Sequence, residues 1–435
     1  MATQVQTLPF DEEDVLRFSA ERREPEWFKA IRLKGRELAE RLPLPKLEKT
    51  RIADWNFTNF NYDTRGHLVS QSGSLPAEAG KLICSTKQSS NVLVHHNSVK
   101  VYGELDPELV KKGVIFTDLA TAVRKYGNLV QKFYFKEESV DRHRLTALHA
   151  ALVNGGSFLY IPKNVVIKQP MQTVYYQDAP SAGLVAHTLI VAEANSSVTY
   201  VESYLSSQTV GEGAANLIGE IAVGENAHVT FGAVDNFSDK MVTYVNRYGK
   251  VARGGNLQWA LGQMNDGNTV SENSTILAGD GSSTDTKMVS VGTGTQKQNF
   301  DNYIQHIGKA TVSRLLVRGA QKDASNSIFN ARTKIEHGAS QADGEQTQRV
   351  LMLSDKARGD ANPILLIDEY DVIAAHAASV GRVDPEQLFY LRSRGIKKET
   401  AEKLIVEGFL EPVVELLPIE GVKKQLAGLI ERKVG

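Results

Sequence analysis

The spacing of apolar positions changes period twice along the chain. From Phe10 to about Val153 it is mainly helical. Asp11, Glu12, Glu13 and Asp14 lead into Val15, Leu16 and Phe18, which puts carboxylates where a helix N-terminus favours negative charge. A second helix opens at Pro25-Glu26-Trp27-Phe28 and carries Ile31, Leu33, Leu38 and Leu42 on one face until Pro43 and Pro45 end it. Lys46 to Phe60 reads as irregular. Asn91–Val94 and Val99–Tyr102 alternate like a short hairpin, and Asp118 begins a helix with Leu119, Ala122, Val123 and Tyr126. Leu145, Leu148, Ala151 and Leu152 then repeat at helical spacing from His143 to Val153, and Gly155-Gly156 supplies a stop.

After Gly156 the period becomes that of strands and stays so until Pro385. Short β-branched runs recur at Phe158–Ile161, Val165–Ile167, Thr188–Val191, Val198–Val201, Ile218–Ile221, Val229–Phe231, Ile304–Ile307 and Val350–Leu353, divided by small and polar residues. Glu193-Ala194-Asn195-Ser196-Ser197-Val198-Thr199 echoes Gly224-Glu225-Asn226-Ala227-His228-Val229-Thr230, with Val198 and Val229 31 positions apart. Short strands with Gly, Ser, Thr and Asn corners are what a parallel β-solenoid requires, because each coil buries its faces only against its neighbours. An antiparallel sandwich is the rival, with Asp266-Gly267, Asp280-Gly281 and Asp343-Gly344 as hairpin dipeptides. The third zone opens with Asp384 as N-cap, Pro385 at the first helical position and Gln387 at the capping-box place. Short helices follow through Ala401-Leu404-Ile405, after Pro412, and from Val422 to Ile430.

The expected fold is therefore mainly β: a right-handed parallel β-helix core over 156–380, an N-terminal mainly helical domain over 1–155 and a C-terminal helical domain over 381–435. Fifty Lys and Arg against fifty-one Asp and Glu give a formal charge of -1, so no global field draws nucleic acid or anionic lipid. No long apolar run appears and the first residues lack a signal-like pattern, which makes a soluble, cytoplasmic chain the expectation. The one cysteine, Cys84, excludes a disulfide framework and any cluster site built from several thiolates of this chain, and its apolar setting reads as a buried, inert thiol.

Nucleotide chemistry is poorly served. The Gly262–Thr269 stretch has phosphate-loop glycine spacing but Asn268 where the lysine must stand, and Gly292-Thr293-Gly294 lacks a third glycine. A solenoid acting on polysaccharide would need converging carboxylates and exposed aromatics; Asp280, Asp285, Asp301 and Asp323 are scattered, and Trp259 suits a core equally well. That reading, an enzyme or a carbohydrate-binding module, stays open as the alternative. Of ten histidines, His149, His228 and His306 read as structural, whereas His376 lies among small residues that leave its ring accessible.

Four ordered blocks carry a resemblance. They are Leu353-Ser354-Asp355-Lys356-Ala357-Arg358, Asp368-Glu369-Tyr370-Asp371-Val372, His376-Ala377-Ala378-Ser379-Val380-Gly381, and Gln387 through Ile396. Together with the solenoid text they resemble the SufB/SufD family of iron–sulfur cluster assembly scaffolds, and the scarcity of thiols fits its SufD-type branch. The resemblance implies a non-catalytic scaffold, paired with a SufB-type subunit through the C-terminal part of the β-helices, with a homodimer as a further possibility. It also implies a SufC-type ABC ATPase docked on the C-terminal helices, for which Phe389, Leu391, Leu404, Ile405 and Phe409 are the candidate contacts. His376 is then implicated in a nascent iron–sulfur cluster shared with a partner cysteine, the isolated chain binding none. Neutral imidazole ligates iron near pH 7, and one imidazole needs thiolates from elsewhere. Where many relatives have His-Gly, this chain has His376-Ala377, which narrows backbone freedom beside the ring.

Overall fold

A computed structural model describes residues 8–62, 75–83, 91–181, 183–207, 210–415 and 420–435. Cys84 and His67 lie outside the described residues. The first helices are α1 (Glu12–Glu21), α2 (Glu26–Arg41), α3 (Ala77–Ile83), α4 (Pro107–Lys111), α5 (Leu119–Lys125), α6 (Gly127–Val130) and α7 (Arg144–Leu152). Strands β1 (Val92–His96), β2 (Val99–Glu104) and β3 (Ile115–Asp118) run among them. The long strands then follow without a helix: β4 (Gly155–Ile161), β5 (Met171–Gln177), β6 (Gly183–Ala192), β7 (Ser197–Ser206), β8 (Gly213–Val223), β9 (His228–Asn236), β10 (Met241–Val251) and β11 (Asn256–Gln263). They continue as β12 (Thr269–Leu277), β13 (Ser283–Gly292), β14 (Lys297–His306), β15 (Val312–Gln321), β16 (Asn326–Ile335), β17 (Ala342–Met352), β18 (Arg358–Ile367) and β19 (Val372–Arg382). Helices α8 (Pro385–Ser393), α9 (Lys398–Val414) and α10 (Glu420–Val434) close the chain.

From β4 onward the strands alternate between two parallel sheets, so each coil contributes one strand to each and the chain winds through about eight coils of a solenoid. One sheet runs β19-β17-β15-β13-β11-β9-β7-β5-β1-β2, the other β18-β16-β14-β12-β10-β8-β6-β4-β3. Among the described strands, β1–β2 and β3–β4 alone pair antiparallel. This excludes the sandwich. The echo seen in the sequence is the register itself, since Val198 stands opposite Val229. Asn164, Asn195 and Asn226 all take left-handed backbone at the same corner of successive coils, where Asn is one of the few residues to do so cheaply. The Asn195 amide donates to Asn164 Oδ1 at 2.9 Å, tying these corners together.

Inside the solenoid, alternate residues stack in columns. Tyr200, Phe231 and Trp259 follow one another at 5.7 and 5.1 Å between ring centroids, and each is buried. Outside, α2, α5 and α7 cover the first coils of the even-strand sheet through Phe28, Leu119, Val123 and Leu148 against Phe158 and Leu189. Helices α9 and α10 lie on the outer face of the odd-strand sheet, where Val406, Leu410, Leu426 and Ile430 bury against Val234, Ala260 and Val289. Leu426 comes so close to Gly262 that a Cβ there would sit 2.9 Å from its methyl.

Several local expectations change. Val165–Ile167 forms a single bridge to Ser197 rather than a strand, because the chain turns there. The helix expected to restart after Pro412 is continuous through it in α9; the unpaired carbonyl four residues back belongs to exposed Gly408, and buried Val413 and Val414 hold the last turn on the sheet. Asp384 does cap α8, but through the Glu386 N–H and not a reciprocal box with Gln387. Among the described residues no helix is long and apolar enough to cross a membrane.

Candidate functional site

His376 sits in β19, the last strand of its sheet, whose other edge faces no strand. Its place is set by register. His376 pairs with Gln346, Gln346 with Leu315, Leu315 with Thr286 and Thr286 with Trp259, so His376 ends the same inward column that carries the aromatic stack. Parallel coils in register share a face, so this imidazole crowns the solenoid interior above the buried Gln346. It is exposed because no coil follows. The neighbouring β18 is likewise the edge of the second sheet, and Pro363 within it is a residue that strands tolerate at edges.

The open end carries apolar surface. Tyr370 is 98% exposed and Ile373 69%, with Leu366, Ile367 and Val380 also exposed. Asp368, Glu369 and Asp371 interrupt it, as charges commonly do at edges that must not aggregate. Of the five candidate ATPase contacts, Phe389 is 74% exposed on α8, a helix that buries none of its residues. Leu404 is 47% exposed on α9, and Leu391 and Ile405 are half-buried. Phe409 is engaged internally: it packs against the odd-strand sheet, the Arg318 guanidinium lies 5.1 Å from its ring centre, and Arg318 donates to its carbonyl oxygen. The set is thus split between one free helix face and one helix seated on the solenoid.

Among the described residues no three His, Cys, Asp or Glu side chains converge as a metal site. His376 would enter any cluster as one ligand from this chain, the remainder coming from elsewhere. The carboxylates considered for sugar chemistry are committed one by one. Asp301 binds Arg332, Asp285 binds Lys287, Asp280 accepts the Lys309 N–H and Asp323 the Gly294 N–H. Trp259 is buried with Nε1 donating to Thr275, so no aromatic platform stands beside an acidic pair.

Two buried ionisable clusters are structural. Glu202 accepts bonds from Thr188, Tyr200 and Tyr204 inside the solenoid, and burial raises its carboxyl above the usual range. His187 bridges His149 and Glu220, whose carboxylate takes the N–H groups of Phe135 and Glu138 and so fixes that loop against the even-strand sheet. A cleft at the other end of the solenoid, around His95, has no local signature in the sequence, because its walls come from four separated segments.

Residues 175–409 match a family model described as "SUF system FeS cluster assembly, SufBD core domain", and residues 38–173 one described as "SufBD protein N-terminal region". The chain is 54% identical over 430 residues, 98% of each chain, to the iron-sulfur cluster assembly protein SufD of Bacillus subtilis (strain 168). It is 28% identical over 437 residues, covering 94% of this chain and 93% of the relative, to an iron-sulfur cluster assembly SufBD family protein of Staphylococcus haemolyticus. A third relative, from Staphylococcus epidermidis, is 27% identical over the same span.

Proposed function

The chain belongs to the SufBD family of iron–sulfur cluster assembly proteins, and from that premise we propose that it acts as a non-catalytic scaffold subunit of a cytoplasmic assembly complex. It pairs with a SufB-type subunit through the bare last coil of its solenoid. A SufC-type ATPase docks on the C-terminal helices, chiefly on the exposed face of α8. The observation that carries this reading is the coincidence, at one end, of two unpaired edge strands, an exposed apolar rim and an imidazole presented from the interior column.

The chemistry is ligation. His376 offers a nitrogen lone pair to iron of a nascent cluster, the cargo of the assembly, while thiolate from the partner completes the site. ATP is hydrolysed by the partner, consistent with Asn268 standing where a phosphate-binding lysine would be. Motion of the docked ATPase reaches the solenoid through α9, whose Val406 and Leu410 are buried against it.

The test is reconstitution with SufB-type and SufC-type proteins. His376→Ala should leave the circular dichroism spectrum and the copurified complex intact while lowering iron and sulfide loading. Equal loading would remove His376 from the mechanism. Failure of the tagged chain to copurify either protein would remove the scaffold reading, and recovery of a second copy alone would assign the bare end to a homodimer.

A further inference from the structure

At the first coil, opposite the bare end, a cleft of about 840 Å³ opens between the helices α1, α2 and α5, the β1–β2 hairpin and the start of β4. That volume lies in the range of small-molecule sites. Its floor holds His95, 1% exposed, with neither ring nitrogen hydrogen-bonded. The ring stacks on Tyr175 at 4.7 Å, with the Gly156 backbone beside it. Ser98, 2% exposed, also lines the cleft with its Oγ unpartnered. A buried polar atom left without a partner is unfavourable, and here three such atoms, the two His95 ring nitrogens and Ser98 Oγ, belong to residues that line one cleft.

The backbone at this place is strained as well. Asn97 and Ser98 both take left-handed conformations in the hairpin turn, with φ of 47° and 73°. Gly156, at φ 136°, packs so tightly that a Cβ would meet the His187 carbonyl oxygen at 2.0 Å. Strain and unsatisfied polar groups that gather on one cleft are a reason to look for a ligand.

The lining fixes the ligand's character. Burial pushes the His95 ring down to about 4, so at neutral pH it is uncharged, with one nitrogen able to donate and the other to accept. The cations Arg22, Arg32, Lys100 and Arg124 face the anions Glu21, Glu24 and Asp118. Arg32 and Glu24 satisfy each other through two bonds of 2.6 Å, whereas Lys100 stands 3.8 Å from Asp118, with a partly exposed head. Over the whole lining four cations stand against three anions, so the cleft is net positive by one charge. Phe28, Leu119, Val123 and Val153 supply an apolar wall.

We propose that this cleft binds a small molecule carrying an oxyanion, a phosphate monoester or a carboxylate, on a flat apolar body, with His95, Ser98 and Lys100 holding the oxygens. The experiment is ligand-observed NMR titration of the full chain with phenyl phosphate, benzoate and the neutral benzyl alcohol. One saturable site for an anionic probe is expected, with phenyl phosphate the tighter if the natural head group is a phosphate and benzoate the tighter if it is a carboxylate. Lys100→Gln, a change on the rim, and Ser98→Ala should each weaken that probe by about tenfold, a difference of about 1.4 kcal/mol. The site is refuted if neither anion saturates at millimolar concentration, if benzyl alcohol binds as well as either, or if both variants, folded by circular dichroism, bind as the native chain does.

Discussion

The two ends of the solenoid are built on opposite plans. At the first coil, β1 and β2 turn back antiparallel, β3 pairs antiparallel with β4, and three helices bury Phe158 and its neighbours, so the core there is covered while β2 and β3 end the sheets. At the last coil, β18 and β19 present free edges, and their side chains are mostly exposed or half-buried, with charged residues of both signs among them. A solenoid needs caps because each coil satisfies only its neighbours. An end left without one, in a chain whose helices pack over its other end, is where the proposed partner would sit. The same deletion of apolar atoms should therefore read out differently at the two ends.

The largest effect is expected at the covered end. Phe158→Ala empties a fully buried site packed by Leu119, Val123 and Leu148, and should cost about 3–5 kcal/mol. Urea unfolding followed by circular dichroism measures it. A shift of the midpoint equivalent to less than about 1 kcal/mol would mean that the helices do not seal this end.

Next in size is a pH effect from the imidazole buried at the covered end. Burial lowers His95 from its usual 6.5 to about 4; nearby Asp118 opposes that shift and Lys100 adds to it. The unfolded chain binds the proton more readily, so stability is fully present above about pH 6.5 and is lost as pH falls toward 4. The contribution is on the order of 3 kcal/mol across that window. His306, held by Thr311 and Ser313, is lowered to about 4 by burial too and adds to the slope. His95→Gln should flatten the pH dependence of the unfolding midpoint between pH 6.5 and 4. Parallel curves for His95→Gln and the native chain would contradict the burial argument.

Part of this architecture is legible in the sequence. The 31-residue echo between Val198 and Val229 is the stacking register, and the block from His376 to Gly381 is the bare strand. What the pattern hid was strand length: runs that read as three to five residues are eight to eleven in β8 to β19. The reason is that Thr275, Asn302, Thr333 and Gln346 point into the interior and are buried, so polar letters interrupt an inward face that binary patterning expects to be apolar. The cleft at His95 was invisible for a different reason. Its residues share no local spacing, and an alternating Val-His pair in a strand looks the same whether or not a cavity lies beneath it.

The smallest effect on folding is expected where the bare end is most apolar. Ile373 points away from the interior, is 69% exposed, and in the isolated chain loses nothing of consequence when shortened to Ala, within about 0.5 kcal/mol. The same substitution should weaken capture of a SufB-type partner by about tenfold or more if β19 lies near the centre of the interface, since truncated apolar anchors there cost more than 1 kcal/mol. Measuring both quantities on one variant makes the comparison self-checking. A fold that weakens while partner capture stays unchanged would mark the last coil as an ordinary solenoid terminus, and the unmatched capping of the two ends would then need a reason inside the chain.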